Sequence, residues 1–384
     1  MSEIKVNSIK GVAASAAAIT VNNTDGTCTA NITNNLSNRN LIINGAMQVA
    51  QRGTSSTVSG YGTVDRFNNN FGGADEALTQ AQVDLSSSDT PYSSGFRKAF
   101  KITNGNQTSG AGAADYVNIF TKLEAQDIAS SGWNYLSSSS FITFSFWIKS
   151  SVAQTMYARL NANDASKAFS FAVSATTSWQ KITKTISGDS SLVFNNDNGI
   201  GMSIYIIPFY GTNYTTSGHT NDAWITDSGS DQVTDMTSTW WTTNDATLEI
   251  TGVQLEVGSV ATDFEHRSFG QELALCQRYC YADRGSEDYH AVAQGHFNGT
   301  TTAIAMLYLP VCMRAAPTLA YPTGTWIFSG DFGTAAQSNI YPQDNIVGVN
   351  AIQIRGAVSG GQSGEGFLLR TSSAGHSWIL SAEL

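Results

Sequence analysis

Between residues 209 and 246 the sequence sets five aromatic side chains, Tyr210, Tyr214, Trp224, Trp240 and Trp241, among Gly, Ser, Thr and Asp. Aromatic faces on a polar loop can stack on the C–H groups of sugar rings, which makes these five the candidate ligand-binding residues. The same side chains could instead pin a long loop to the fold beneath it or to a neighbouring subunit. Residue type alone allows both. Loops of this length without regular structure are usually functional or mobile. The carboxylates Asp222, Asp227, Asp231 and Asp235 lie in the same stretch. Their spacing is not that of a calcium-binding EF-hand loop, which favours solvated acids over a metal site.

Catalysis asks for a constellation, and the sequence presents none. It has no G-x-S-x-G elbow, no H-E-x-x-H, no phosphate-binding loop and no dinucleotide fingerprint. His219, His266, His290, His296 and His376 stand in unlike surroundings, and no serine or cysteine occupies a recognisable nucleophile motif. Acidic residues are plentiful, but sequence alone does not place any pair at the separation that glycoside hydrolysis needs. The consecutive Glu265, His266 and Arg267 lie on an extended connector and point to different sides, so they read as a structural clamp. Cys28, Cys276, Cys280 and Cys312 lack partners at zinc spacing, and a buried thiol on a helix face acts as a small hydrophobe. The expectation is a non-enzymatic chain with no cofactor and no metal, made in a reducing compartment.

Composition sets the frame for these side chains. Of 384 residues only 13% are charged, and 20 basic against 30 acidic residues give a net charge of -10. A phosphate backbone would be repelled, so no nucleic-acid partner is expected. No apolar run approaches about 18 residues and the Met1 end has no signal pattern, so neither membrane insertion nor export is expected. Abundant Gly, Ser, Thr and Asn suit many short strands joined by tight turns. The expected fold class is mainly β.

The elements are organised around residues 248–281. Leu248 and Ile250 alternate with polar neighbours, as do Val253, Leu255 and Val257, but the two sets are out of phase across Gly252. That change of phase predicts a β-bulge in one long strand. After an extended connector, Phe269, Leu273, Cys276 and Cys280, widened by Leu275 and Tyr279, predict an amphipathic helix with its stripe buried. Ser268 with Gln271 is a capping-box start, and Gly285 lies past the end. Upstream, Ile142, Phe144, Phe146 and Ile148 fill one face of the clearest strand, and Phe169, Phe171 and Val173 repeat the pattern, as do Ile200, Met202, Ile204 and Ile206. Downstream, residues 302–310 are apolar on both faces and predict a buried strand, while 331–344 and 359–366 read as polar loops of an exposed tip. The predicted organisation is an N-terminal attachment segment (1–45), a central jelly-roll β-sandwich (46–265), a connector with a short helix (266–285) and a C-terminal β-domain (286–384).

Two resemblances follow from particular runs. NLIINGAMQVAQRGTS (40–55) with VDRF (64–67), and the junction VQLEVGS followed by FEHRSFG and ELALCQRYCY, resemble tail-fibre and related appendage proteins of tailed bacteriophages. The succession FITFSFWIKSS, AFSFAVSATTSWQKITKTISGD and LEITGVQLEVG resembles carbohydrate-binding modules of the jelly-roll type, in which the position of Trp179 is a core residue. The first resemblance implies a virion protein of the tail, assembled in the bacterial host cytoplasm and joined to other tail proteins through residues 1–45. It also implies contact with a host-surface glycan or receptor, and a homotrimer. A glycan-degrading appendage and a virion connector without a receptor role are the alternatives.

Overall fold

The computed structural model describes residues 8–9, 19–21, 28–30, 38–284, 288–323, 326–330, 333–337, 340–358, 361–372 and 377–384. The protein is mainly β, in several antiparallel sheets, and among the described residues no helix is long and apolar enough to cross a membrane. The central sandwich packs two six-stranded sheets. One runs Trp224–Thr226, Lys167–Ala175, Gln154–Ala162, Ile200–Tyr210, Tyr116–Glu124 and Asn68–Gly72 in spatial order. The other runs Gln180–Ser187, Phe141–Ser150, Thr247–Val257, Lys98–Thr103, Thr79–Asp84 and Ser55–Ser56. Period-two alternation makes the core. Ile142, Phe144, Phe146 and Ile148 meet Phe169, Phe171, Met202, Ile204 and Ile206, all buried. Burying each such side chain contributes about 1.5–3 kcal/mol before entropy is counted.

The predicted bulge is present. Pairing of Thr247–Val257 with Phe141–Ser150 slips between Thr251 and Gln254, and Gly252 sits at φ +61°. A Cβ there would lie 2.6 Å from the Phe96 ring, so glycine is needed both for the backbone conformation and for room. Residues 38–45, expected in the leader, instead belong to the sandwich. Ile42 is fully buried, and the Asn40 side chain accepts from the Leu255 and Ile42 N–H groups while donating to the Val253 carbonyl. Glu265 and Arg267 hold this segment from the other side, through the Asn40 N–H (2.8 Å) and the Ile42 carbonyl (3.3 Å). His266 donates from Nε2 to the Ser94 carbonyl, 2.9 Å away. Before it, Ser8–Ile9, Ile19–Val21 and Cys28–Ala30 form a separate three-stranded sheet.

The helix spans Phe269–Gln277 and opens with the full Ser268–Gln271 capping box. Its buried face differs from the predicted stripe. Phe269 is 56% exposed, Leu275 is exposed and Leu273 half-buried, whereas Glu272 and Cys276 are buried. The turn of the face comes from Glu272, whose carboxylate accepts the Asn44 N–H and pairs with Arg267, so a charge is carried inward with its partners. Cys280 is not helical but opens the strand Cys280–Arg284. Gly285 lies outside the described residues.

C-terminal to the helix, seven strands form one sheet and three another, around Phe297, Trp326, Phe328, Leu369, Trp378 and Leu380. Two expectations change here. Residues 331–344, read as a loop, contribute Gly333–Gln337 and most of Ile340–Val347, because ladder pairing with neighbouring strands overrides a polar, glycine-bearing composition. The strand Thr302–Tyr308 buries Ala303, Ala305 and Leu307 on one face and Ile304 on the other, where Met306 is half-buried and Tyr308 is 75% exposed.

A buried polar network ties this unit to the sandwich. Arg66, 1% exposed, pairs with Glu383, donates to the Lys122 carbonyl at 2.5 Å and lies over the Tyr279 ring, 3.5 Å from its centroid. Arg52 also reaches Glu383 (3.1 Å), and Lys122 donates to the Leu384 carbonyl (2.9 Å). Nearby, Glu124 accepts two bonds from Arg278, both 2.7 Å, and a third from the Tyr279 hydroxyl. Burial pushes the Glu124 carboxyl up, but these donors outweigh it and hold it below its ordinary range.

Candidate binding cleft

The outward positions of the first sheet carry a second pattern. Ser170, Arg159, Tyr205, Phe120 and Asn68 are successive cross-strand partners, one from each of five neighbouring strands, and so form a row across the sheet. Beside it lie Asn161 on the strand of Arg159 and Asn118 on the strand of Phe120, with Asn70 opposite Asn118. A strand places alternate side chains on one face, so the core-facing hydrophobes also fix where these groups point.

A cleft of about 390 Å³ opens above them, lined by Asn70, Tyr116, Asn118, Arg159, Asn161 and Tyr205 from the sheet. Tyr210, Tyr214, Asp227, Gly229 and Gln232 close it. Tyr116 and Tyr214 meet edge to face at 5.6 Å, and Tyr214 leans on Tyr210 at 5.5 Å, so the rings brace one another. The Asn118 amide nitrogen donates to the Tyr210 hydroxyl (3.0 Å), and burial pushes that hydroxyl and that of Tyr205 above the ordinary tyrosine range. Arg159 donates to Asp227 at 2.5 Å, and Asn161 reaches the other oxygen of that carboxylate at 3.3 Å. Three polar atoms of the cleft residues have no hydrogen-bond partner: Asn118 Oδ1, Asn161 Oδ1 and Arg159 Nε. Aromatic edges, carboxamides and a guanidinium are chemically suited to a neutral, hydroxyl-rich ligand, whose O–H groups both donate and accept.

The five aromatic candidates separate under this geometry. Trp240 and Trp241 are fully buried. The Trp240 indole donates to the Thr247 carbonyl and the Trp241 indole to the Gly110 carbonyl, and Trp241 stacks on Phe209 at 5.5 Å. Neither ring has a free face, which corrects their reading as ligand-binding residues. They sit in the short helix Thr239–Thr242, where the loop returns into the core. Trp224 is half-buried on an edge strand, packed against Phe169 at 5.6 Å and donating to the Ser187 carbonyl, so it too serves packing. Tyr210 and Tyr214 alone line the cleft. Trp179 is half-buried, its indole donating to Asp89.

The loop carboxylates are dispersed among separate partners. Asp222 pairs with Lys184, Asp227 with Arg159, Asp231 with His219, and Asp235 accepts from Thr215. Among the described residues no group of three or more His, Cys, Asp or Glu is placed to hold a metal. Tyr116, Asn118, Arg159, Asn161 and Tyr205 were missed in the sequence. Their signal was there, as polar and aromatic residues at the outward positions of strands otherwise recognised by their inward ones.

No protein-family model matches the sequence, and no curated protein does. Solved structures match part of it. The Family 11 Carbohydrate-Binding Module of cellulosomal cellulase Lic26A-Cel5E of Clostridium thermocellum is 13% identical over 56% of this chain and 98% of that one, with a TM-score of 0.27. TmCBM61 in complex with β-1,4-galactotriose is 9% identical over 58% and 99%, at 0.26. The enzymatically active domain of bacteriophage CBA120 tailspike protein 4 is 8% identical over 57% of this chain and 21% of that chain, at 0.30. Likenesses at these scores carry no argument. The fold rests on the strand order and the cleft on its own geometry.

Proposed function

We propose that the protein is a non-catalytic, glycan-binding appendage of a bacteriophage tail, assembled in the host cytoplasm and joined to other tail proteins through the segment before residue 38. The observation that carries the glycan reading is the cleft itself: tyrosine rings and unpaired carboxamide oxygens gathered on the outward face of one sheet. The phage context comes from the resemblance of residues 40–67 and of the junction. Binding of the full chain to an array of bacterial surface glycans tests it. Tyr205→Ala and Asn118→Ala are each expected to weaken the captured glycan by about tenfold, the equivalent of one lost polar or aromatic contact. Unchanged affinity in both variants would move the site elsewhere on the chain. Release of new reducing ends from the bound polysaccharide would make the protein an enzyme instead.

The same reading includes a homotrimer. Phe269 is 56% exposed, Leu275 37% and Val257 39%, and Leu275 is shared by two surface cavities of about 550 and 560 Å³ that also present Leu41, Ile43 and Val311. Closed rotational symmetry would cover the same strip on every copy. A helix of nine residues is too short to hold a trimer alone, so the β-domains supply most of the contact. Light scattering should give three times 40.9 kDa, and Leu275→Glu should lower the mass to one chain with an unchanged circular dichroism spectrum. A wild-type mass of one chain would overturn the trimer.

A further inference from the structure

Ser170, outward on the strand Lys167–Ala175, sits beside Arg159 in the row beneath the cleft. Its Oγ lies 2.5 Å from His219 Nε2, and His219 Nδ1 lies 2.8 Å from Asp231 Oδ1. This is the contact order of a nucleophile, a general base and an orienting acid. Two features remove it from hydrolase chemistry. Ser170 is only 1% exposed, and it is not among the residues that line the cleft. More decisively, the serine is on the sheet whereas His219 and Asp231 are both on the segment that covers it. Any movement that uncovers the hydroxyl carries its base away.

The proton inventory fits a closed network. With His219 neutral, Nδ1–H donates to Asp231 and Nε2 accepts the Ser170 proton. With His219 charged, Nε2–H donates to Ser170, whose proton passes to Asn221 Oδ1 at 3.2 Å, while the Asn221 amide donates to Thr234 at 2.7 Å. Both arrangements leave every member partnered. Asp231 is further fixed by the Thr216 hydroxyl at 2.8 Å, and the Asp222 N–H donates to the Ser170 carbonyl at 2.8 Å.

We propose that Ser170, His219 and Asp231 act as a clasp that positions residues 214–234 over the sheet, and so sets the wall of the cleft. Tyr214, Asp227, Gly229 and Gln232, all lining the cleft, hang from this one segment. The consequence for ligand binding rests on the glycan reading above, but the clasp itself does not. Ser170→Ala and His219→Ala act as positioning variants, since neither residue lines the cleft.

The test is hydrogen–deuterium exchange on the full chain without ligand, followed by glycan titration. In both variants the amides of 214–234 should exchange at least about tenfold faster, while those of Gln154–Ala162 keep wild-type protection and so report an intact sandwich. Where a glycan is bound by the wild type, its affinity should fall about fivefold or more in the same variants, through the cost of ordering the wall. Wild-type exchange in 214–234 would overturn the clasp. So would covalent labelling of wild-type Ser170 by a fluorophosphonate, which would make it a nucleophile. Faster exchange with no glycan bound by any form would uphold the clasp and overturn the cleft reading alone.

Discussion

Arg66→Ala is expected to destabilise the protein by about 3–5 kcal/mol, because it strips a buried charge pair of one member and leaves the other in place. Glu383 would keep only Arg52 at 3.1 Å, the Lys122 carbonyl would lose its guanidinium donor, and the Tyr279 ring would lose the cation above it. Burial works against the Arg66 charge and Glu383 beside it more than offsets that, so the guanidinium stays protonated and the full penalty falls on the partners when it is removed. Guanidinium unfolding at neutral pH measures the loss, and a change under about 1 kcal/mol would mean that the pair is solvated. Glu124 adds a pH signature at the same junction. Its folded-state pKa is depressed, so its contribution is complete above its unfolded value of about 4.3 and disappears only as pH falls through the lower folded value. The junction should therefore hold its stability contribution from this group between pH 7 and pH 5.

Trp241→Ala carries the second large effect, about 3–5 kcal/mol for truncating a fully buried indole. The ring stacks on Phe209, and its N–H satisfies the Gly110 carbonyl, which would be left unpaired. Asn104 holds the backbone carbonyl of Trp241 at 2.6 Å, so the short helix cannot easily collapse into the space. Thermal unfolding followed by near-ultraviolet circular dichroism reads the sandwich directly. A shift within about 0.5 kcal/mol, the usual surface-substitution range, would put the ring back at the surface and revive it as a stacking platform.

These residues also show where the sequence was legible. Inward faces were readable because they repeat every second residue over ten, as in Phe141–Ser150, and the bulge at Gly252 was readable because it breaks that repeat. The capping box at Ser268 was local, and local signals survive folding. The cleft was not local. Arg159, Tyr205 and Asn118 are separated by tens of residues, and only the strand order brings them onto one face. The same holds for Ser170, His219 and Asp231, whose spacing matches no motif. Tryptophan in a polar loop misled for a different reason: composition describes the residues around it in sequence, while burial is set by the strands beneath. The helix face turned because Glu272 found donors in Asn44 and Arg267, and periodicity treats a carboxylate as a solvent-facing residue.

The bonds from Arg52, Arg66 and Lys122 to Glu383 and Leu384 have a mechanical meaning. The C-terminal unit meets the sandwich through the helix that leads into it, through Arg314 against Asn198, and through its own last residues. A body held by one strand of chain can swivel about that strand, whereas one held at points separated in sequence resists twisting about any one of them. A sideways pull on the outer sheet would thus reach the sandwich as torque rather than be absorbed in a hinge. Unclasping the last two residues would leave Arg314 and Asn198 as the remaining brace, and the junction should twist more easily before it unfolds anything.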